Sequence, residues 1–316
     1  MLTLLTPKPF RGDVIAAGVT VLLIAAGLLE LRVIGTLDPI ARCALLTVLW
    51  AFVLTLAVRS PVEQGEPRAY QSVLYVEALI FALLALAALA AVLGSDGWLD
   101  GNATRSWVLA LMTLHAALLG RLRNSPVCTF LAAVGFAGVL VVALLGVTAG
   151  DQLGGIRWLL LVVAVGYAIN AVRLHTPAPR HALAFAQAAG MTFVGLATTW
   201  TGMLLPLPNG GAFAVPGVET NVPAPGAGWT LVLLLAGLAL VGYGGVQRER
   251  GPIWIGALLL LHFCMLELDG GLLWWPLALF ALAAALLVAG LRPSTPAPPE
   301  PGSDAPATEP LRFPRP

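Results

Sequence analysis

Apolar residues in this chain come in long unbroken runs, and short polar or proline-containing segments separate the runs. Ten runs stand out, at roughly 13–31, 40–58, 72–93, 106–120, 126–147, 156–172, 182–205, 229–246, 252–268 and 271–291. They approach or reach the ~20 residues that a helix needs to cross ~30 Å of hydrocarbon. A helix that is apolar all round has no face to turn to water, and a lone span must satisfy its backbone within itself. The pattern therefore predicts an all-α polytopic integral membrane protein, with about ten transmembrane helices filling residues 1–292. The first run is long for a signal peptide and lacks a small-residue cleavage pattern before its charged end, so it reads as a retained first span.

Two segments break the rhythm. Residues 206–228 hold five prolines and five glycines, a density that predicts a connection on the outer side. Whether it is a plain linker or a lid over an outward-facing cavity stays open. Residues 293–316 hold nine prolines and predict a disordered cytoplasmic tail.

Composition narrows the class. The chain is 59% hydrophobic and 10% charged, against about 25% charged residues in soluble domains. The bilayer is thus the first predicted partner. A net charge of +1 gives no reason to expect nucleic acid. Cys43, Cys128 and Cys264 fall in or beside separate runs without a CxxC spacing, so neither a disulfide framework nor a thiolate zinc site is expected. Sixteen of the seventeen basic residues are arginine. That bias, with abundant Ala, Leu, Val and Gly, points to a GC-rich bacterial genome and hence a bacterial plasma membrane.

Charge also orients the spans. With the amino terminus in the cytoplasm, thirteen bases fall inside, from Lys8 and Arg11 through Arg59, Arg121, Arg173 and Arg250 to Arg315. Only Arg32, Arg42, Arg105 and Arg157 fall outside. Cytoplasmic connections carry such an excess of Lys and Arg. Ten spans then return the carboxyl terminus to the cytoplasm. Trp98, Trp107, Trp158, Trp200, Trp229, Trp274 and Trp275 lie towards the outer interface on this map, the level that amphipathic rings prefer.

Ten spans with both ends inside also permit two inverted five-helix halves, an arrangement of many secondary transporters. The fourth and ninth runs are short, and each places a histidine eight residues after a tryptophan: Trp107 to His115, and Trp254 to His262. If the halves repeat, these two histidines face a shared centre. By span count and orientation the chain is similar to the drug/metabolite transporter superfamily, which has ten spans in two inverted halves. The resemblance is architectural, and no residues carry over from it.

Polar side chains inside hydrocarbon are costly, about 2.5–3.5 kcal/mol for a central charge, and so mark candidate sites. Glu77 is the leading one, because a protonatable carboxyl can line a cavity and take up a proton. His115, Asn170 and Gln187 also lie towards the inner ends of their runs and form, with Glu77, a candidate inner vestibule. Each also fits a simple helix–helix hydrogen-bonding role. The fifth candidate is His262, in "LHFCMLELD", where His, Cys, Met, Glu and Asp arrive together. Helical spacing separates them, since Glu267 lies about 140° around the helix from His262. No metal is expected there, and His262 remains as a candidate intramembrane imidazole. Thr192, Thr198, Thr199 and Thr201 are predicted to bond their own backbone.

No nucleotide-binding loop, catalytic elbow, zinc-protease helix or ion-selectivity filter occurs, so neither a cofactor nor an enzyme activity is expected. Two functions follow from what is present. One is a secondary transporter or permease for a small-molecule solute. The other is a non-transporting membrane scaffold or sensor, favoured by how few polar groups the spans contain. The sequence identifies no protein partner.

Overall fold

The structure, a computed structural model, describes residues 12–33, 38–60, 67–95, 101–147, 152–201 and 225–267. These lie within the first of two compact units, Met1–Gly270. The predicted tenth span, the tail at 293–316 and most of the 206–228 connection lie outside the described residues.

Among the described residues every regular element is a helix: α1 (Gly12–Val33), α2 (Pro39–Arg59), α3 (Ala69–Val92), α4 (Asn102–Leu122), α5 (Pro126–Val147), α6 (Gln152–Leu174), α7 (Pro179–Thr201), α8 (Ala227–Gln247) and α9 (Arg250–Glu267). Six of them, α2, α3, α5, α6, α7 and α8, are long and apolar enough to cross a membrane. Exposed side chains agree with a helical membrane protein. Val172 is 77% exposed, Val246 81% and Trp254 73%, positions that water would penalise and lipid would not. The fourth helix differs from expectation. It is 21 residues long, where 106–120 was predicted, because it continues through the polar stretch Asn102 to Arg105. That polar first turn is satisfied within the protein: the Asn102 side-chain amide donates to Leu145 O at 3.2 Å.

Local chemistry places the breaks. Asp38 caps α2 by accepting from the amides of Ile40 and Ala41, ahead of Pro39 in the first helical turn. Between α4 and α5, Asn124 takes a left-handed conformation (φ 51°), and Ser125 then caps α5 just before Pro126. Between α8 and α9 the left-handed residue is Arg248 (φ 57°), whose neighbour Glu249 sends its amide back to Gly244 O at 2.9 Å. Glycine is the usual occupant of that position because it has no Cβ to clash. Arg248→Gly is therefore expected to stabilise the protein by roughly 0.5–1 kcal/mol, read as a later unfolding midpoint in detergent; an earlier midpoint would show that the arginine head makes a compensating contact.

Packing is a string of hairpins. Extensive contacts pair α2 with α3, α4 with α5, α6 with α7 and α8 with α9. The hairpins touch through their odd-numbered members, α1 on α3, α3 on α5, α5 on α7 and α7 on α9, and where one follows the next, α3 on α4, α5 on α6 and, less, α7 on α8. Of the six long apolar helices, α3 and α7 are the most buried, each amid its own apolar cluster. The contact pattern thus repeats every two helices. A shift of five would equate the close α2–α3 pair with α7 and α8, which touch little, and the close α6–α7 pair with α1 and α2, which have no extensive contact among the described residues. This does not favour two inverted halves. The reason is physical: turns of two to four residues force α4 against α5, α6 against α7 and α8 against α9, and such hairpins outweigh any five-helix period.

The short turns 123–125, 175–178 and 248–249 share one end of the array, here termed the turn end. Cross-contacts tie that end together: Arg123 reaches Tyr75 and Ser60, and Asn124 reaches His181. At the opposite end Arg157 holds Thr199 and lies 4.2 Å from the ring centroid of Trp200, beside Trp229 and Trp158.

Candidate functional site

The five polar residues singled out from sequence do not gather. Glu77 projects from α3 into the apolar cluster shared with α1 and α2 and is 4% exposed. Its Oε1 meets the hydroxyl of Thr20 on α1, and its Oε2 has no partner among the described residues. Thr20 also donates to Ala16 O at 3.0 Å. One hydroxyl hydrogen cannot serve both acceptors fully, so a protonated carboxyl donating to Thr20 Oγ1 balances the hydrogen count.

His115 of α4 is half-buried and packs edge-on against Trp50 of α2, with ring centroids 5.6 Å apart. Asn170 is exposed on α6, and its amide donates to Gly166 O of its own helix at 2.9 Å. Gln187 of α7 lies against Gly251, where even a Cβ would collide with its amide nitrogen. His262 is buried on α9 with Nδ1 3.0 Å from Leu258 O. The vestibule predicted from Glu77, His115, Asn170 and Gln187 is therefore not formed. Helical phase explains it, because each side chain turns to different surroundings: Glu77 to α1, His115 to α2, Gln187 to α9 and Asn170 to the exposed face of its own helix. Thr192, Thr198 and Thr199 do bond carbonyls of their own helix, while the side chain of Thr201 lies outside the described residues. Near His262, Cys264 and Met265 turn outward, and the side chains of Glu267 and Asp269 lie outside the described residues. No three His, Cys, Asp or Glu side chains come together as metal ligands among the described residues.

A different set of residues does converge, at the turn end between the α4–α5 and α6–α7 hairpins. There a groove of about 580 Å³ runs along α5. It exists because α5 and α7 touch while α4 and α6 make no extensive contact, so the even-numbered helices stand apart above an odd-numbered floor. Its polar centre is His181, near the start of α7. Nε2 lies 2.7 Å from Asn124 Oδ1, and Nδ1 lies 2.9 Å from Thr129 Oγ1 on α5. As that amide is oriented its oxygen can only accept, so Nε2 carries the hydrogen. Deeper in, Tyr167 of α6 donates to Ala133 O at 2.5 Å and ties α6 to α5. Thr113 closes the inner end, its hydroxyl buried against Gly135 without a partner among the described residues.

Sequence reasoning missed His181 because it follows Pro177, Ala178 and Pro179, and so reads as the end of an inner connection. Thr129 hides inside an apolar run. Four helix-borne positions that are distant in sequence had to be brought together first.

Comparison of the chain with protein-family models, with curated proteins and with solved structures returns no match.

Proposed function

We propose that this chain is a multi-pass protein of a bacterial plasma membrane that acts as a scaffold or sensor rather than as a solute pathway, with both termini in the cytoplasm. Six helices of sufficient length and apolarity support the membrane location. Cytoplasmic termini are supported by the arginines. Arg59, Arg68, Arg121, Arg123, Arg173, Arg180, Arg248 and Arg250 belong to the turn end, against Arg42, Arg105 and Arg157 at the other. Arginine-dominated basic composition supports the bacterial assignment.

The dispersal of Glu77, His115, Asn170, Gln187 and His262 over separate surroundings carries the functional conclusion. A proton-coupled permease needs its titrating and solute-facing groups along one path, usually at a repeat interface near the midplane. Here each group is absorbed by its own helix or by one neighbour, the way polar side chains hold packed spans together. A permease retains one specific observation in its favour, the buried Glu77 Oε2 without a partner among the described residues.

Thermal unfolding of the purified full chain, measured across a broad panel of water-soluble solutes, separates the two. No solute is expected to move the midpoint, and Glu77→Gln is expected to respond as the parent does. A solute-specific rise that Glu77→Gln abolishes would establish transport instead.

A further inference from the structure

We propose that the groove between the α4–α5 and α6–α7 hairpins holds one anionic phospholipid of the surrounding bilayer, its headgroup on Arg121 and one acyl chain along α5. Three observations converge. The groove opens between α4 and α6, where Ala117 and Phe136 of its lining are exposed, so what reaches it from the side is the hydrocarbon of lipid. Its inner part is walled by Phe136, Phe185, Ala132 and Ala133. From Thr129 to Phe136 this floor runs about 10 Å along the helix, a length an acyl chain can occupy and a compact polar solute cannot wet.

Charge then selects the headgroup. Arg121 is exposed at the mouth and makes no hydrogen bond or ion pair among the described residues, and no acidic side chain lines the groove. Around it the turn end carries seven further described arginines against Asp13 and Glu249. A guanidinium offers paired donors to phosphate oxygens, and basic pockets between spans on the cytoplasmic side suit anionic headgroups. His181 rigidifies the mouth, since both its nitrogens are engaged by Asn124 and Thr129, which pins the α4–α5 turn to α7. The groove is distinct from the surroundings of Glu77, so this proposal stands whether or not the scaffold assignment does.

Native mass spectrometry of the full chain released from detergent tests it. The probes are phosphatidylglycerol and phosphatidylcholine of identical acyl composition, with inorganic phosphate as a third arm. One phosphatidylglycerol is expected to remain bound, with phosphatidylcholine at least tenfold weaker and phosphate without effect. Arg121→Ala is expected to weaken phosphatidylglycerol about tenfold, the usual scale for losing a charge-assisted contact. Ala117→Trp places a ring in the groove from an exposed position on α4, and is expected to abolish retention while the lipid-free unfolding midpoint stays at the parent value. Equal retention of the two lipids overturns the proposal. So does parental retention by either variant, or protection by phosphate alone.

Discussion

Gly256→Leu is expected to cost about 3 kcal/mol, at the upper end of the overpacking range, and to separate α9 from α8. A Cβ built at Gly256 falls 2.8 Å from Gly237 O and 2.9 Å from Val241 N, both backbone atoms that cannot swing aside. The contact is mutual, because a Cβ at Gly237 would meet Leu260 at 2.8 Å. Close backbone approach through small residues is how spans gain dispersion contacts when lipid removes any hydrophobic drive to associate. Gly242→Leu is the matched control: nothing lies within 4 Å of its Cβ position, and replacing glycine improves helix propensity by up to ~1 kcal/mol. Unfolding in a denaturing detergent titration should show an early midpoint for Gly256→Leu and a parental or later one for Gly242→Leu. Equal losses in both would show that glycine acts here through the backbone and not through packing.

Arg123→Ala is the second large effect, expected to cost about 3 kcal/mol. Arg123 ends α4 and holds two other helices at once, donating from Nε to Tyr75 Oη at 3.1 Å and from Nη2 to Ser60 O at 2.9 Å. Ser60 is 1% exposed and Tyr75 fully buried, so water does not readily replace the lost donor. Hydrogen bonds from charged groups contribute roughly 1.5–3 kcal/mol each, and a buried acceptor left bare adds its desolvation cost. Tyr75→Phe removes one arm only and is expected to cost about 1 kcal/mol. In a double-mutant cycle the two losses should not add, the shared bond being counted twice. Strict additivity would mean that the Arg123–Tyr75 bond contributes nothing to stability.

Which residues were legible beforehand follows from the range of the forces involved. Helix positions were readable because each span must satisfy its own backbone, a constraint within about four residues that apolar runs announce directly. The caps found at Asp38 and Ser125 act over the same short range, each accepting from an amide three residues on. The start of α4 was misjudged because Asn102 to Arg105 look like a connection until Leu145 O, 43 residues away, supplies the amide's acceptor. Glu77 was recognised as costly, and it is buried. That it meets Thr20 and not His115 depends on α1 lying against α3, which no periodicity encodes.

The turn-end groove marks the same division from the other side. Arg121, Asn124, Thr129 and His181 carry no motif spacing, and the gap above α5 arises only because the even-numbered helices stand apart. What the residues alone determined is a bundle of apolar helices with arginines concentrated in alternate connections, since transfer and backbone satisfaction are local sums over each segment. Which polar side chains meet, which face lipid and where a groove remains were decided by tertiary packing. Those outcomes depend on helix rotation, and a turn of 100° per residue moves a side chain from a neighbour to the bilayer without altering the hydropathy of the run at all.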